Sequence, residues 1–136
     1  MITRTALSQS VAKQIAEIAE SEAIKENLAV SIALVNEVGQ LIHFTKMDKS
    51  TIASIDISIA KAKHSAYYRR DTRFHEDLLG QGNNVVLALP NSLPIEGGVQ
   101  LIYQGNLIGA IGVSGASSQD DGKIAKAGAD FLLSFK

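Results

Sequence analysis

The chain has 136 residues, with no cysteine and no tryptophan, 46% apolar residues and 20% charged ones. That length and apolar content suit one domain with a core of its own rather than a disordered segment, and the lack of cysteine excludes disulfides, thiolate nucleophiles, cysteine zinc sites and iron–sulfur clusters. Lys and Arg number 13 against 14 Asp and Glu, a formal net charge of −1, which argues against a nucleic-acid binder working through a basic surface.

No apolar run approaches the ~20 residues of a membrane helix. The first ten residues lack the apolar stretch of a signal peptide. A soluble, cytoplasmic protein without a membrane partner is therefore expected, as one domain over residues 1–136.

The chain opens on a helical pattern. Leu7, Val11, Ile15 and Ile18 form a stripe widened by Ala12, Ala16, Ala19 and Ala23, and Lys13, Glu17, Glu20 and Glu22 take the other face. Thr3 reads as its N-cap. A hairpin follows. Val30–Val35 alternates, Asn36–Gln40 carries turn chemistry with Gly39 free to take positive φ, and Leu41–Met47 returns.

From about Ser50 the period is helical again. Ile52, Ile55, Ile59, Ala62 and Ala66 share one stripe, and Ile57, Ala60, His64 and Tyr68 an adjacent one. So wide an apolar arc predicts a helix buried on more than one side, against the sheet and against a second surface such as another subunit. A short helix capped by Thr72 and stopped by Gly80 comes next. Residues 80–98 read as loops, with Val85–Leu89 as a short strand. A second hairpin pairs Val99–Tyr103 with Leu107–Val113 through Gln104-Gly105-Asn106. A last helix opens on Ser117 and Ser118, carries Asp120 and Asp121 in its first turn, and shows an Ile124, Gly128, Phe131, Phe135 stripe. Hairpins interspersed with helices predict an α+β domain, an antiparallel sheet covered by helices.

Few motifs carry chemistry. Gly109, Gly112 and Gly115 are spaced G-x-x-G-x-x-G, without the dinucleotide spacing or the lysine of a phosphate loop, and read as sites where a helix or subunit approaches the strand. Ser114 lacks the second glycine of a nucleophile elbow, since position 116 is alanine. His75-Glu76 lacks the second histidine of a zinc-protease helix, and with only 3 histidines in the chain a lone axial ligand is easier to build than a three-histidine site. The unusual stretch is Lys61–His75, which concentrates cations, tyrosines and two histidines. On a helix Lys61, His64 and Tyr68 share a face, which suits a planar anionic ligand as well as it suits the solvated end of a core helix.

Val30–Ile42, Lys46-Met47-Asp48, Ile59–Lys63, Pro94–Gly98 and Gly105–Gly115 followed by Asp121 and Ala125 resemble the GlcG/HbpS-like family. This haem-binding group, sometimes called haem-degrading, also occurs as the C-terminal domain of PduO-type corrinoid adenosyltransferases. The resemblance covers about residues 5–133. It implies a profilin-like, five-stranded antiparallel sheet with helices on both faces, homo-oligomers from dimer to octamer, and haem b as the ligand. The other readings it leaves open are an accessory or enzymatic subunit for a small carboxylate or aldehyde in glycolate- or diol-type metabolism, and a purely structural oligomer.

The chain departs from the family at Lys46 (usually Arg), at His64 (often Thr), at Asp71 (often Pro) and at Val99-Gln100. It also has no histidine before His43, so the N-terminal-helix ligand of some haem-binding members has no counterpart. The iron partner must then come from His43, His64, His75, a tyrosine or Met47, with His64 favoured. Lys61, Lys63 and Arg70 would hold propionates and Tyr67 or Tyr68 would stack. Met47, Gly97 and Gly98 complete the candidate binding set.

Overall fold

The computed structural model describes residues 1–136. The first helix, α1 (Gln9–Lys25), starts at Ser8, whose hydroxyl accepts from the Val11 N–H; the cap is Ser8, not Thr3. Ser31–Asn36 (β1) and Leu41–Lys46 (β2) form the first hairpin, and the Asn36 side chain closes its turn by accepting from the Val38 and Gln40 N–H groups. Helix α2 (Ala53–Tyr68) ends on Arg69, a non-glycine residue in the left-handed region at φ 52°, and that reversal folds α3 (Thr72–Gly80) back against it.

The second hairpin is β3 (Gly98–Tyr103) with β4 (Asn106–Ser114), followed by α4 (Ser118–Ser134), whose cap Ser117 accepts from the Asp120 N–H. No helix is long and apolar enough to cross a membrane.

The sheet is antiparallel, with four strands in the order β2-β1-β4-β3, not five. The stretch read as an extra strand is a 3₁₀ turn over Asn84–Ala88. Its N–H groups bond three residues back, Val86 to Asn83 and Leu89 to Val86, and so are not offered to a neighbour strand.

Helices cover both faces. Ile32, Leu34, Ile111 and Val113 point to one side, where Ala12, Ile15, Ala16 and Ala19 of α1 and Ile124, Ala125 and Leu132 of α4 complete the main core. Ala33, Val35 and Ala110 point to the other and meet Ala62 and Ala66 of α2. There the side chains are small because the helix lies almost on the strands. A Cβ on Gly112 would collide with the Ser58 carbonyl oxygen and stand 2.6 Å from the Ala62 nitrogen.

The inward side of α2 follows the expected stripe only in part. Ala62 and Ala66 face the sheet and Ile59 packs at the edge of that core, but Ser54, Ser58, Lys61 and Ser65 are buried beside them, while Ile52 is 83% exposed and Ile55 half-buried. Serine and alanine permit the close approach that isoleucine would block.

Thr72 does not cap α3, which starts after Asp71. Both residues turn to β3 instead. The Thr72 hydroxyl accepts from the Gly98 N–H at 2.9 Å and the Asp71 carboxylate accepts from the Gln100 N–H at 2.9 Å, so the start of α3 closes part of an open sheet edge.

Candidate ligand-binding site

Lys61 is 2% exposed and lies between α2, β4 and α4. Its ammonium donates to the Val113 carbonyl at 2.9 Å and to the Asp121 carboxylate at 3.1 Å. The other Asp121 oxygen accepts from the Ala116 N–H at 2.9 Å. Burial pushes the Asp121 carboxyl up, and the Lys61 charge and the Ala116 N–H pull against it. Gly97 and Gly98 seal the lysine in. A Cβ on Gly97 would fall 2.6 Å from Lys61 Nζ, and one on Gly98 would lie 2.7 Å from the Ser65 hydroxyl.

Beyond the two glycines opens a cleft of about 490 Å³ bounded by Arg73, Glu96, Gly122, Lys126 and Asp130. Gly122 leaves room for the Glu96 carboxylate. Burial pushes that carboxyl up, Arg73 opposes the shift, and Glu76 and Asp77 add to it.

One turn further along α2, His64 is wholly buried. The Leu93 backbone N–H donates to its Nδ1 at 2.9 Å. That nitrogen therefore carries no proton, and the neutral ring's single proton sits on Nε2, from which it is donated to His75 Nδ1 at 2.9 Å. The proton of His75 is consequently on its Nε2. Tyr68 packs against both rings and donates to the Pro90 carbonyl. Burial holds the His64 pKa down at about 4, with His75 adding to the shift; burial and then Arg70 lower that of His75.

The remaining candidates stand apart from these two centres. Lys63 and Tyr67 line an open cleft of about 420 Å³ with Val38, Gly39, Leu41 and Ile59. Arg70 lies 4.3 Å over the Phe74 ring. Met47 sits at the far end of β1, where its sulfur accepts from the Val30 N–H at 3.4 Å. His43, on β2, pairs Nε2 with the Thr45 hydroxyl at 3.3 Å.

The structure thus joins Lys61 to Gly97 and Gly98, His64 to Tyr68, and Lys63 to Tyr67, and leaves Met47 and Arg70 separate. Sequence reasoning missed Asp121 as the partner of Lys61, Glu96 as the cleft carboxylate and Leu93 as the donor to His64. One signal was available: a lysine between Ser58, Ala62 and Ser65, in register with small residues, sits where a helix lies close to a sheet and needs a buried counter-ion.

Residues 7–130 match the family described as haem degrading protein HbpS-like. The chain is 36% identical over 114 residues to Protein GlcG of Escherichia coli strain K12, covering 84% of this chain and 85% of that one. A crystal structure of a double mutant of Streptomyces reticuli HbpS superposes with a TM-score of 0.88 at 28% identity, over 97% of this chain and 90% of that one. A crystal structure of a PduOC:heme complex shares the fold, with a TM-score of 0.83 at 23% identity over 92% of this chain and 94% of that one.

Proposed function

The chain belongs to the HbpS-like family, and from that premise we propose that it is a cytoplasmic haem-binding protein, with haem b as its ligand, that assembles with copies of itself. The reading treats residues 1–136 as one profilin-like domain. The observation that carries it is the match to a family described by haem degradation across residues 7–130.

The donor set of this chain fits such a ligand in one place. Val38, Leu41 and Ile59 offer apolar surface to a flat macrocycle, the Tyr67 ring offers an aromatic edge, and the Lys63 ammonium offers a partner to a carboxylate. Lys61, His64 and Tyr68 hold the helix that presents Lys63 and Tyr67. Bound haem supplies a redox-active iron, and its turnover with peroxide is the activity to look for. Self-association is supported by Ile52, 83% exposed at the start of α2, with half-buried Ile55 beside it.

Titration of haem into the cofactor-free protein, followed at the Soret band, is expected to saturate at about one haem per subunit or per pair of subunits. A flat or linear response would overturn the reading. It would leave the second one, a small carboxylate or aldehyde bound in the 490 Å³ cleft, which is favoured by the Arg73 and Lys126 cations that line it, with the buried Lys61–Asp121 pair sealed behind Gly97 and Gly98.

A further inference from the structure

We propose that Tyr67 supplies the iron ligand in this chain, through its phenol oxygen, and that Lys63 receives a propionate of the same haem. The inference rests on the haem reading above and assigns its site.

The assignment follows from which donor atoms the fold leaves free. A protein without cysteine can offer ferric haem an imidazole, a thioether or a phenol. His64 has both ring nitrogens bonded inside the protein and no exposed surface. His75 is tied through Nδ1, and its free Nε2 carries the proton. Vacating Nε2 for a metal would put that proton on Nδ1, facing the proton on His64 Nε2. Moving the His64 proton to Nδ1 would set it against the Leu93 N–H. Every tautomer that frees His75 breaks one of the two bonds.

The Met47 sulfur is engaged by the Val30 N–H, and the Tyr68 hydroxyl by the Pro90 carbonyl. Met1, fully exposed at the start of the chain, lines none of the main clefts. The Tyr103 hydroxyl accepts from the Gln104 amide at 3.3 Å, and its ring packs on Phe135. His43 bonds Thr45 and lines none of the main clefts.

Tyr67 differs from all of them. It is 57% exposed, stands one turn after Lys63 on α2, and lines a cleft in which Val38, Leu41 and Ile59 give the apolar wall and Gln40 and Asn91 a polar one. Its ring passes over Gly39, where even an added Cβ would leave 3.7 Å to the ring, so the β1–β2 turn gives it room. Val38 and Leu41, 57% and 45% exposed beside it, form an apolar surface that nothing in the protomer covers. A flat ring with apolar faces and a carboxylate edge complements that arrangement. The larger cleft beside Gly97 and Gly98 sets carboxylates and cations beside Val99, Ile102, Ala129 and Leu133, but contains no histidine, tyrosine or methionine to bind iron. In the binding step the phenol O–H bond breaks, the proton leaves to solvent, and the oxygen lone pair coordinates ferric iron; no electron is transferred.

Ferric haem titrated into wild type, Tyr67→Phe, Lys63→Met, Tyr103→Phe and His43→Ala tests the proposal by visible absorption and electron paramagnetic resonance. Wild type is expected to give a high-spin ferric spectrum with a phenolate-to-iron charge-transfer band. Tyr67→Phe should lose that band and bind at least about tenfold more weakly. Lys63→Met should keep the band and raise Kd by about tenfold. The other two variants should match wild type. A wild-type spectrum and Kd in Tyr67→Phe would overturn the assignment, as would loss of the band in Tyr103→Phe or His43→Ala. Both results leave haem binding intact, whereas failure of wild type itself to saturate would overturn the haem reading.

Discussion

A neutral imidazole offers one donor and one acceptor, and His64 commits both, to His75 and to the Leu93 N–H. A proton on Nδ1 would face the Leu93 N–H, in a place with no exposed surface. The consequence is a pH-dependent stability. Above pH 6.5 the ring is neutral in the folded and unfolded chain alike. Below it the unfolded chain takes up a proton that the folded ring, with a pKa of about 4, refuses. Stability should fall by about 3 kcal/mol between pH 6.5 and pH 4. His75, also lowered, acts in the same direction. Asp121 and Glu96, whose carboxyls are pushed up, act with the opposite sign in the carboxylate range. Urea unfolding of wild type and His64→Gln across this window should isolate the ring, with the variant losing less stability on acidification. Parallel curves would show that the pair carries no proton linkage. The pairing was not legible in the sequence. His64 and His75 lie on different helices, and they meet only because Arg69 adopts a left-handed conformation that no glycine or asparagine announced.

At the scale of elements, the periodicities of two and of 3.6 located both hairpins and the helices, because those patterns follow from where Cβ atoms point. They settled only in part which side of α2 meets the sheet. Pattern reasoning sends isoleucine inward, but the backbones here approach too closely for branched side chains, and Ser58 and Ala62 lie on Gly112 instead. The glycines of β4 were legible as approach points, and Gly112 is one. Gly112→Ala should therefore destabilise the fold by about 3 kcal/mol or more, since the clash is with helix backbone that cannot swing aside. Gly80 is the contrast. It ends α3 without positive φ, and an added Cβ meets nothing within 4 Å. Gly80→Ala should be neutral or stabilise by up to about 1 kcal/mol. Denaturant midpoints of the two variants test this directly, and equal effects would refute the packing account.

Over the whole molecule, three layers share one sheet, and the Lys61–Asp121 pair ties α2, β4 and α4 together beneath Gly97 and Gly98. The resemblance located Lys61 and the glycine pair, but their common centre depends on tertiary contacts between residues 61, 97 and 121 that no local pattern encodes. The exposed Ile52 and half-buried Ile55 at the start of α2 also bear on how the protein is handled at the bench. If a second copy covers them, unfolding is coupled to dissociation, and stability becomes a function of how much protein is in the tube. For a dimer, each tenfold rise in concentration adds about 1.4 kcal/mol by mass action. Tm should climb with dilution reversed, and Ile52→Lys should flatten the trend. A Tm indifferent to concentration would mean that Ile52 faces water in the working protein, and purification yields would then depend on keeping it from sticking to something else.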